Sequence, residues 1–371
     1  MAAKNVIIVG GGIGGLTLAG ALTRRGVGVT VLERAPELRA RGLGFTIWPN
    51  ATAALHAAGL LDSVRTAAGT IVQATLRTNS GRKLVTIDVN AWGERLGAPA
   101  LTATRPDLLA ALAGAAGAAV RFDAEVVRVS PDRGELELSD GELLRADAVI
   151  KADGVGSAVR RSLSPARQNT LNEPMLVGWQ GLVPQGRPRI EVDMIFGPTG
   201  AAGIFGLPGD HTYWFLQAPK GRVPDNGSPF TTGWSPRIQE LIAATPADAL
   251  WRDDIRDREP TPNWGRGKVT LLGDAAHPIV PNLGQGACLA MEDAAILAQW
   301  LVNTGDPVTA LRSYEQARFT RVRDMYRNAR RAARMQRLAP ALRDPMLSAA
   351  PSVLRRVFTA PGNPLPELAP L

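Results

Sequence analysis

KVTLLGDAAHPIVPNLGQGACLAMED, residues 268–293, decides how the rest of the chain is read. Lys268 to Leu272 is an apolar run that suits a strand in a sheet covered on both faces. Gly273 ends the strand, and Asp274 follows at the turn. A carboxylate at the C-terminal end of such a strand lies where open α/β sheets bind ligands, and it can accept hydrogen bonds from polyol hydroxyls. Between Pro278 and Gly286, proline and glycine delay the next helix and let the backbone pass close to something flat. Ala287 to Asn303 reads as an apolar helix whose first N–H groups point back into the loop and favour partial negative charge there. Strand, acidic turn, loop and helix N-terminus together predict a place for a ligand with hydroxyls at one end and an electron-accepting ring at the other.

Working outward, Asn5 to Val9 is a short apolar strand followed directly by Gly10, Gly11, Gly12, Ile13, Gly14 and Gly15. Gly10, Gly12 and Gly15 fit the G-x-G-x-x-G spacing, and Leu16 to Arg25 continues as a helix. The glycines allow a tight turn and the close approach of a pyrophosphate to a helix N-terminus. A second strand, Gly28 to Leu32, ends at Glu33, whose carboxylate can take the ribose hydroxyls of an adenosine. Arg34 suits an adenine, the phosphates or plain solvent equally. ARGLGFTIWP, residues 40–49, is glycine-punctuated and then extended, and a short helix follows from Asn50 to Ala58. Strand-like segments run from Ile71 to Thr78 and from Lys83 to Val89. Thr104 caps a helix, Leu108 to Ala116, that Arg105, Pro106 and Asp107 open. A hairpin pairs Glu125–Ser130 with Glu135–Ser139. A buried strand, Ala146 to Lys151, leads into Ala152-Asp153-Gly154 and a helix from Ala158 to Leu163.

Pro174–Gly181, Ile190–Phe196, Ala202–Leu207 and Thr212–Leu216 read as antiparallel strands. Their aromatic residues Trp179, Phe196, Phe205, Tyr213, Trp214 and Phe215 suit either a sheet core or one wall of an apolar pocket. A long helix is expected from Pro307 to Leu338, with Arg323, Arg327, Arg330, Arg334 and Arg337 forming a solvated stripe. Beyond Pro340 a short helix would pack on the body.

The chain of 371 residues can bury a large core, and no apolar run is long enough to span a bilayer. Its start reads as a first strand rather than a signal peptide. Cys288 is the only cysteine and there are three histidines, so internal disulfides are excluded and a metal centre is not expected. A reducing cytoplasm is the natural compartment. The formal charge of +8 is concentrated towards the C-terminal helix and is weak support for a nucleic-acid partner. Any oxidising power must come from an organic cofactor.

Three pieces stand in order: Gly10 to Gly15 with Glu33; Ala152-Asp153-Gly154; and Gly273-Asp274 followed by Pro281 and Gly284-Gln285-Gly286. From residue 4 to 335 the chain resembles the single-component FAD-dependent aromatic hydroxylases, the group A flavoprotein monooxygenases related to p-hydroxybenzoate hydroxylase. GWQGLVP from Gly178 and the GQGACLAMEDA loop are most similar to the branch of urate hydroxylase and zeaxanthin epoxidase-type enzymes. The resemblance implies an α/β fold: a Rossmann-like FAD-binding domain (residues 1–68, 101–168 and 262–305), an inserted antiparallel β-sheet substrate domain (69–100 and 169–261) and a C-terminal helical region (306–371).

It further implies tightly but non-covalently bound FAD, NADPH or NADH as transient reductant, and O2 as cosubstrate. One oxygen atom would pass, through a C4a-hydroperoxyflavin, to an electron-rich aromatic or alkene small molecule. Gly10, Gly12, Ile13, Gly14, Gly15, Glu33, Arg34, Arg41, Arg105, Asp153, Gly273, Asp274, Gly284, Gly286 and Ala287 are the implied cofactor residues. Pro281 and Gly284 to Gly286 would face the reacting ring, where N–H groups meet the negative charge of the reduced flavin. Trp179, Gln180, Phe196, Phe205, Tyr213, Phe215 and Asn282 are the candidate substrate residues. His277 beside the loop is read as structural rather than as a base. The urate enzymes are expected to carry an arginine on a pocket strand, and Ala201 to Leu207 offers none, so a larger, mostly apolar substrate is preferred. The alternatives are a non-oxygenating reductase or halogenase of the same fold, or a flavin-bearing sensor. A soluble monomer or homodimer with neither nucleic-acid partner nor membrane insertion is expected.

Overall fold

The computed structural model describes residues 3–38, 44–156, 170–184, 189–223, 229 and 231–365. Arg41 and the helix expected from Ala158 to Leu163 lie outside the described residues. Apolar β1 (Asn5–Val9) feeds through the glycine loop into α1 (Ile13–Thr23), and β2 (Gly28–Leu32) returns parallel to β1. Next come β3 (Gly44–Ile47), α2 (Pro49–Ala57), α3 (Leu61–Arg65), the two-residue β4 (Gly69–Thr70), β5 (Gln73–Thr78) and β6 (Lys83–Asp88). A helix that the sequence reading missed, α4 (Val89–Leu96), is capped by the Asp88 side chain and ends on left-handed Gly97. β7 (Leu101–Thr104) leads into α5 (Arg105–Ala116), where the Thr104 hydroxyl accepts from the Asp107 N–H at 3.2 Å. Short β8 (Ala119–Arg121) precedes a meander of β9 (Val126–Ser130), β10 (Glu135–Leu138) and β11 (Leu143–Arg145) and the buried β12 (Ala148–Lys151).

The second half supplies β13 (Leu176–Val183), β14 (Glu191–Phe196), β15 (Ala201–Leu207), β16 (His211–Pro219), α6 (Pro236–Ala243), β17 (Leu250–Ile255) and β18 (Val269–Leu271). Four helices close the described chain: α7 (Gly286–Asn303), α8 (Pro307–Met335), α9 (Pro340–Ala349) and α10 (Pro351–Thr359). A parallel sheet runs in the order β18-β12-β1-β2-β8, and a seven-stranded sheet in the order β17-β13-β16-β15-β14-β5-β6. The larger sheet is mixed rather than purely antiparallel, because β14 pairs parallel with β5. That contact stitches β5 and its partner β6 into a sheet whose other five strands come from the second half of the chain.

The core is continuous from the parallel sheet through α1, α2, α5 and α7 to the inner face of the larger sheet. Gly14 makes the helix packing possible: a Cβ there would lie 2.5 Å from Leu272 Cδ2 and 3.2 Å from Ala290 Cβ. On the outer face of the larger sheet a second core holds Trp179, Trp214 and Trp234 beneath α6. The period-two alternation of β16 therefore sends Trp214 and Leu216 outward and leaves Tyr213 and Phe215 inward. The arginines of α8 do not form one solvated stripe. Arg327, Arg334 and Arg337 are exposed, but Arg330 stacks 5.4 Å from the Tyr326 ring centre and lies 3.5 Å from the Asp257 carboxylate. Among the described residues no helix is long and apolar enough to cross a membrane.

Candidate active site

The first and second motifs meet because β1 and β12 are neighbours. Gly10 adopts φ +114°, and a Cβ there would stand 2.4 Å from the Ala152 carbonyl oxygen. A side chain is thus excluded by both backbone angle and the Ala152-Asp153 turn. A Cβ on Gly15 would lie 2.1 Å from the Gly10 carbonyl oxygen, so Gly15 lets α1 start against the loop. Gly12, the residue that precedes α1, differs: its surroundings are empty to 4 Å. Ile13 packs into the core behind the loop. Glu33 faces the loop, its two carboxylate oxygens accepting from the N–H groups of Gly11 at 2.8 Å and Ala35 at 2.9 Å. Each oxygen keeps capacity for a further donor. Arg34 is exposed.

Between the third motif and the larger sheet lies a cavity of about 630 Å³. On one side it is lined by Asp274, Pro281, Asn282, Gly284, Gln285, Gly286 and Ala287, and by Arg105 at the start of α5. Gly284 has φ +63°, and a Cβ there would sit 2.9 Å from both Thr46 Oγ1 and Trp48 Nε1, so the loop bends closely over β3 and α2. Gly273, at φ +61°, turns the chain from β18 to Asp274, and its N–H donates to Asp293 at 3.0 Å.

The charges here are held in unusual surroundings. Asp274 is exposed to the cavity; desolvation of its carboxyl by the surrounding protein raises its pKa, partly offset by His277 and Arg105. Burial lowers the pKa of Arg105 against the attraction of Asp274. Its guanidinium lies 5.7 Å from the Phe45 ring centre, and its Nε is buried without a hydrogen-bond partner. Asp153 has one oxygen 3.4 Å from buried Lys151 and the other buried without a partner. Burial lowers the pKa of Lys151, opposed by Asp153.

Across the cavity the inner sheet face presents Gln180, Phe205, Tyr213, Phe215 and Gln217. The three aromatic rings form one cluster with centre separations of 5.4–6.5 Å. Two expected substrate residues are placed differently. Phe196 lies outside the cavity, in a cluster with Leu76 and Leu84 and 5.3 Å from the Arg343 guanidinium, because its strand parity and position bring it beneath the C-terminal helices. Trp179 borders the cavity, but its fully buried side chain belongs to the outer-face core. Lining residues not singled out from sequence include Trp48, Gln217, Asp253, Asp254 and Phe358.

Behind the loop is a buried network that sequence reasoning also missed. Arg318 of α8 donates to Asp293 at 2.7 Å and to Glu292 at 2.6 Å, and all three side chains are fully buried. Glu292 accepts from Asn50 at 2.7 Å, and Asn50 also donates to Gln285 at 3.0 Å. The Gln285 side chain therefore turns into the protein. His277 lies 2.7 Å from Asp293, so its ring is engaged with a buried carboxylate behind the loop. Burial opposes ionisation of Asp293, but His277 and Arg318 prevail and hold its carboxyl down at about 2. Two consecutive acidic residues inside an apolar helix were the available signal.

Comparison with known proteins follows the same lines. A family profile described as an FAD binding domain matches residues 3–329. Aurachin C monooxygenase/isomerase of Stigmatella aurantiaca is 35% identical over 336 residues, covering 86% of each chain. An FAD-dependent urate hydroxylase of Klebsiella pneumoniae subsp. pneumoniae is 32% identical over 343 residues, 88% of each chain. The crystal structure of Klebsiella pneumoniae HpxO complexed with FAD and uric acid superposes with a TM-score of 0.86 at 27% identity, covering 97% of each chain.

Proposed function

The chain belongs to the family of FAD-dependent aromatic hydroxylases, and from that premise we propose how its own residues serve the reaction. The protein is an FAD-dependent monooxygenase that consumes NAD(P)H and O2. Its substrate, in our reading, is a small, mostly apolar aromatic or alkene compound. The observation that carries the assignment of residues is the distribution of unpaired polar atoms. Arg105 Nε and Asp153 Oδ1 are buried without partners, and nothing lies within 4 Å of a Cβ built on Gly12. Buried groups of this kind at one site would gain from a polar ligand placed beside them.

Gly12 and the N-terminus of α1 would hold the FAD pyrophosphate, and Glu33 would accept from the adenosine ribose. Asp274 would accept from ribityl hydroxyls, while Arg105 would supply the positive charge beside them. When bound and reduced by NAD(P)H, FAD would supply the two electrons that activate O2, one oxygen atom going to the substrate and the other to water. The Pro281–Ala287 backbone would lie along the flavin ring, with the N-terminus of α7 favouring negative charge at its edge. Phe205, Tyr213 and Phe215 would hold the substrate and keep water from the reacting centre. Burial raises the pKa of the Tyr213 phenol, so that side chain stays neutral throughout the working range. We place the enzyme in the cytoplasm as a monomer or homodimer.

The test is spectroscopic. Purified protein should carry about one FAD per chain, and after anaerobic reduction and mixing with O2 a transient near-ultraviolet absorbance should precede return of the oxidised spectrum. A compound that fits the cavity should accelerate NAD(P)H oxidation and gain one oxygen atom. Protein that cannot be reconstituted with FAD would defeat the proposal.

A further inference from the structure

Half of the large apolar side chains exposed among the described residues fall in one short part of the chain: Met335, Leu342, Met346, Val353 and Val357. On α9 they belong to a helix turned inside out. Leu342, Pro345, Met346 and Ala349, spaced i, i+3, i+4 and i+7, are exposed on one face that carries no charge. The charge is on the inner side, where the buried residues are Arg343 and Leu347, and the Arg343 guanidinium lies 5.3 Å from the Phe196 ring centre. α10 continues the pattern: Val353 and Val357 are exposed beside Arg356, while Leu354 and Phe358 pack against the body. Apolar residues gathered in this way on a surface mark an interaction site.

Charge identifies what covers it. From Arg321 to Arg356 the chain has ten arginines against two aspartates, and neither lysine nor glutamate. Both aspartates are already paired, Asp324 with Arg323 at 3.4 Å and Asp344 with Arg343 at 2.9 Å. Arg334 and Arg337, just before α9, and Arg356 within α10 are exposed. A second copy docked through a twofold axis would set this positive surface against itself. An anionic lipid surface instead takes up apolar side chains at the acyl boundary and attracts the flanking arginines at its headgroups.

We propose that α9 and α10 dock on the surface of an anionic bilayer without crossing it, with Leu342, Met346, Val353 and Val357 at the acyl boundary. Phe358, which follows Val357, lines the cavity and packs edge-on against Trp48 at 5.6 Å. The docked helix is therefore also part of the cavity wall, and docking sets the cavity close to the lipid.

Sedimentation of the FAD-loaded enzyme with lipid vesicles tests this. Vesicles of equal parts phosphatidylcholine and phosphatidylglycerol should carry the enzyme down at low salt, with binding that weakens as salt rises, and phosphatidylcholine alone should carry little. Leu342→Ser with Met346→Ser and, separately, Arg334→Gln with Arg337→Gln should each weaken binding about tenfold or more. All four positions are exposed, so the flavin spectrum and melting temperature should stay as in the wild type. Leu143→Ser, at an exposed apolar residue on β11, should leave binding unchanged. An enzyme that stays in solution with the mixed vesicles would overturn the proposal, as would binding that ignores the loss of Leu342 and Met346. A dimer in light scattering that the same pair of substitutions turns into monomer would give the face to a second copy and overturn it too.

Discussion

Replacing Gly12 with alanine separates the two reasons a glycine loop contains glycine. The residue sits at φ −81°, ψ −179°, an extended conformation open to alanine, and nothing lies within 4 Å of the added methyl group. In the FAD-free protein the only cost is a poorer residue before α1, about 0.5–1 kcal/mol. Bound FAD changes the arithmetic, because the methyl group would stand where the pyrophosphate approaches. Loss of one charge-assisted hydrogen bond there costs about 1.5–3 kcal/mol, or roughly 10- to 100-fold in affinity. Gly15→Ala is the contrasting variant: its methyl carbon would be 2.1 Å from the Gly10 carbonyl oxygen. It should cost at least the upper end of the roughly 1–3 kcal/mol seen for overpacking, with or without cofactor. Urea unfolding of the apoproteins and titration with FAD, followed by flavin fluorescence, read the two effects separately. Wild-type FAD affinity in Gly12→Ala, or apoprotein unfolding as easy as that of Gly15→Ala, would refute the reasoning.

Arg318→Met leaves Glu292 and Asp293 buried with too little positive charge, and should lower stability by about 3–5 kcal/mol in urea unfolding. Because the Asp293 carboxyl is held at about 2 in the folded protein, below its ordinary value of 3.8, its contribution is present above pH 4 and lost as pH falls towards 2. That contribution is about 2 kcal/mol, and an acid titration of unfolding should show it steepening through this window. Asp274→Asn should weaken FAD binding about tenfold without lowering the melting temperature of the apoprotein, since a desolvated carboxyl with a raised pKa contributes nothing by being ionised. Burial pushes the Cys288 thiol up to about 12, so a disulfide reagent at pH 8 should react with it only after unfolding.

The loops around the cofactor were legible in the sequence because their signals are local. Gly10 and Gly284 occupy positive φ, Thr104 caps α5, and proline and glycine bracket Pro281 to Gly286. Alternation in the second half gave the strands, but it shows only that Tyr213 and Phe215 share a face, not which face turns inward. That is why Trp179 was set beside them although its ring belongs to the opposite core. The parallel pairing of β14 with β5 and the burial of Arg318 between two helices depend on contacts between remote segments. The arginine pattern on α8 was visible, yet Arg318 and Arg321, which both pair with buried Glu292 behind the loop, lie outside the stripe drawn from it.

The order of strands in the parallel sheet also bears on how the protein is made. β18, which carries Asp274 at its end, is an edge strand beside β12, while β1 occupies the centre. Asn50 waits across 235 positions for Gln285. A chain emerging from the ribosome therefore spends most of its synthesis with the β12 edge open and the glycine loop without its partner loop. On the proposed assignment of residues, FAD could not be gripped at both ends until the last third of the chain had been translated. The cofactor consequently stabilises the finished product by mass action rather than guiding the early steps. Cells short of riboflavin should accumulate folded but empty protein of reduced stability, not chains arrested partway through synthesis.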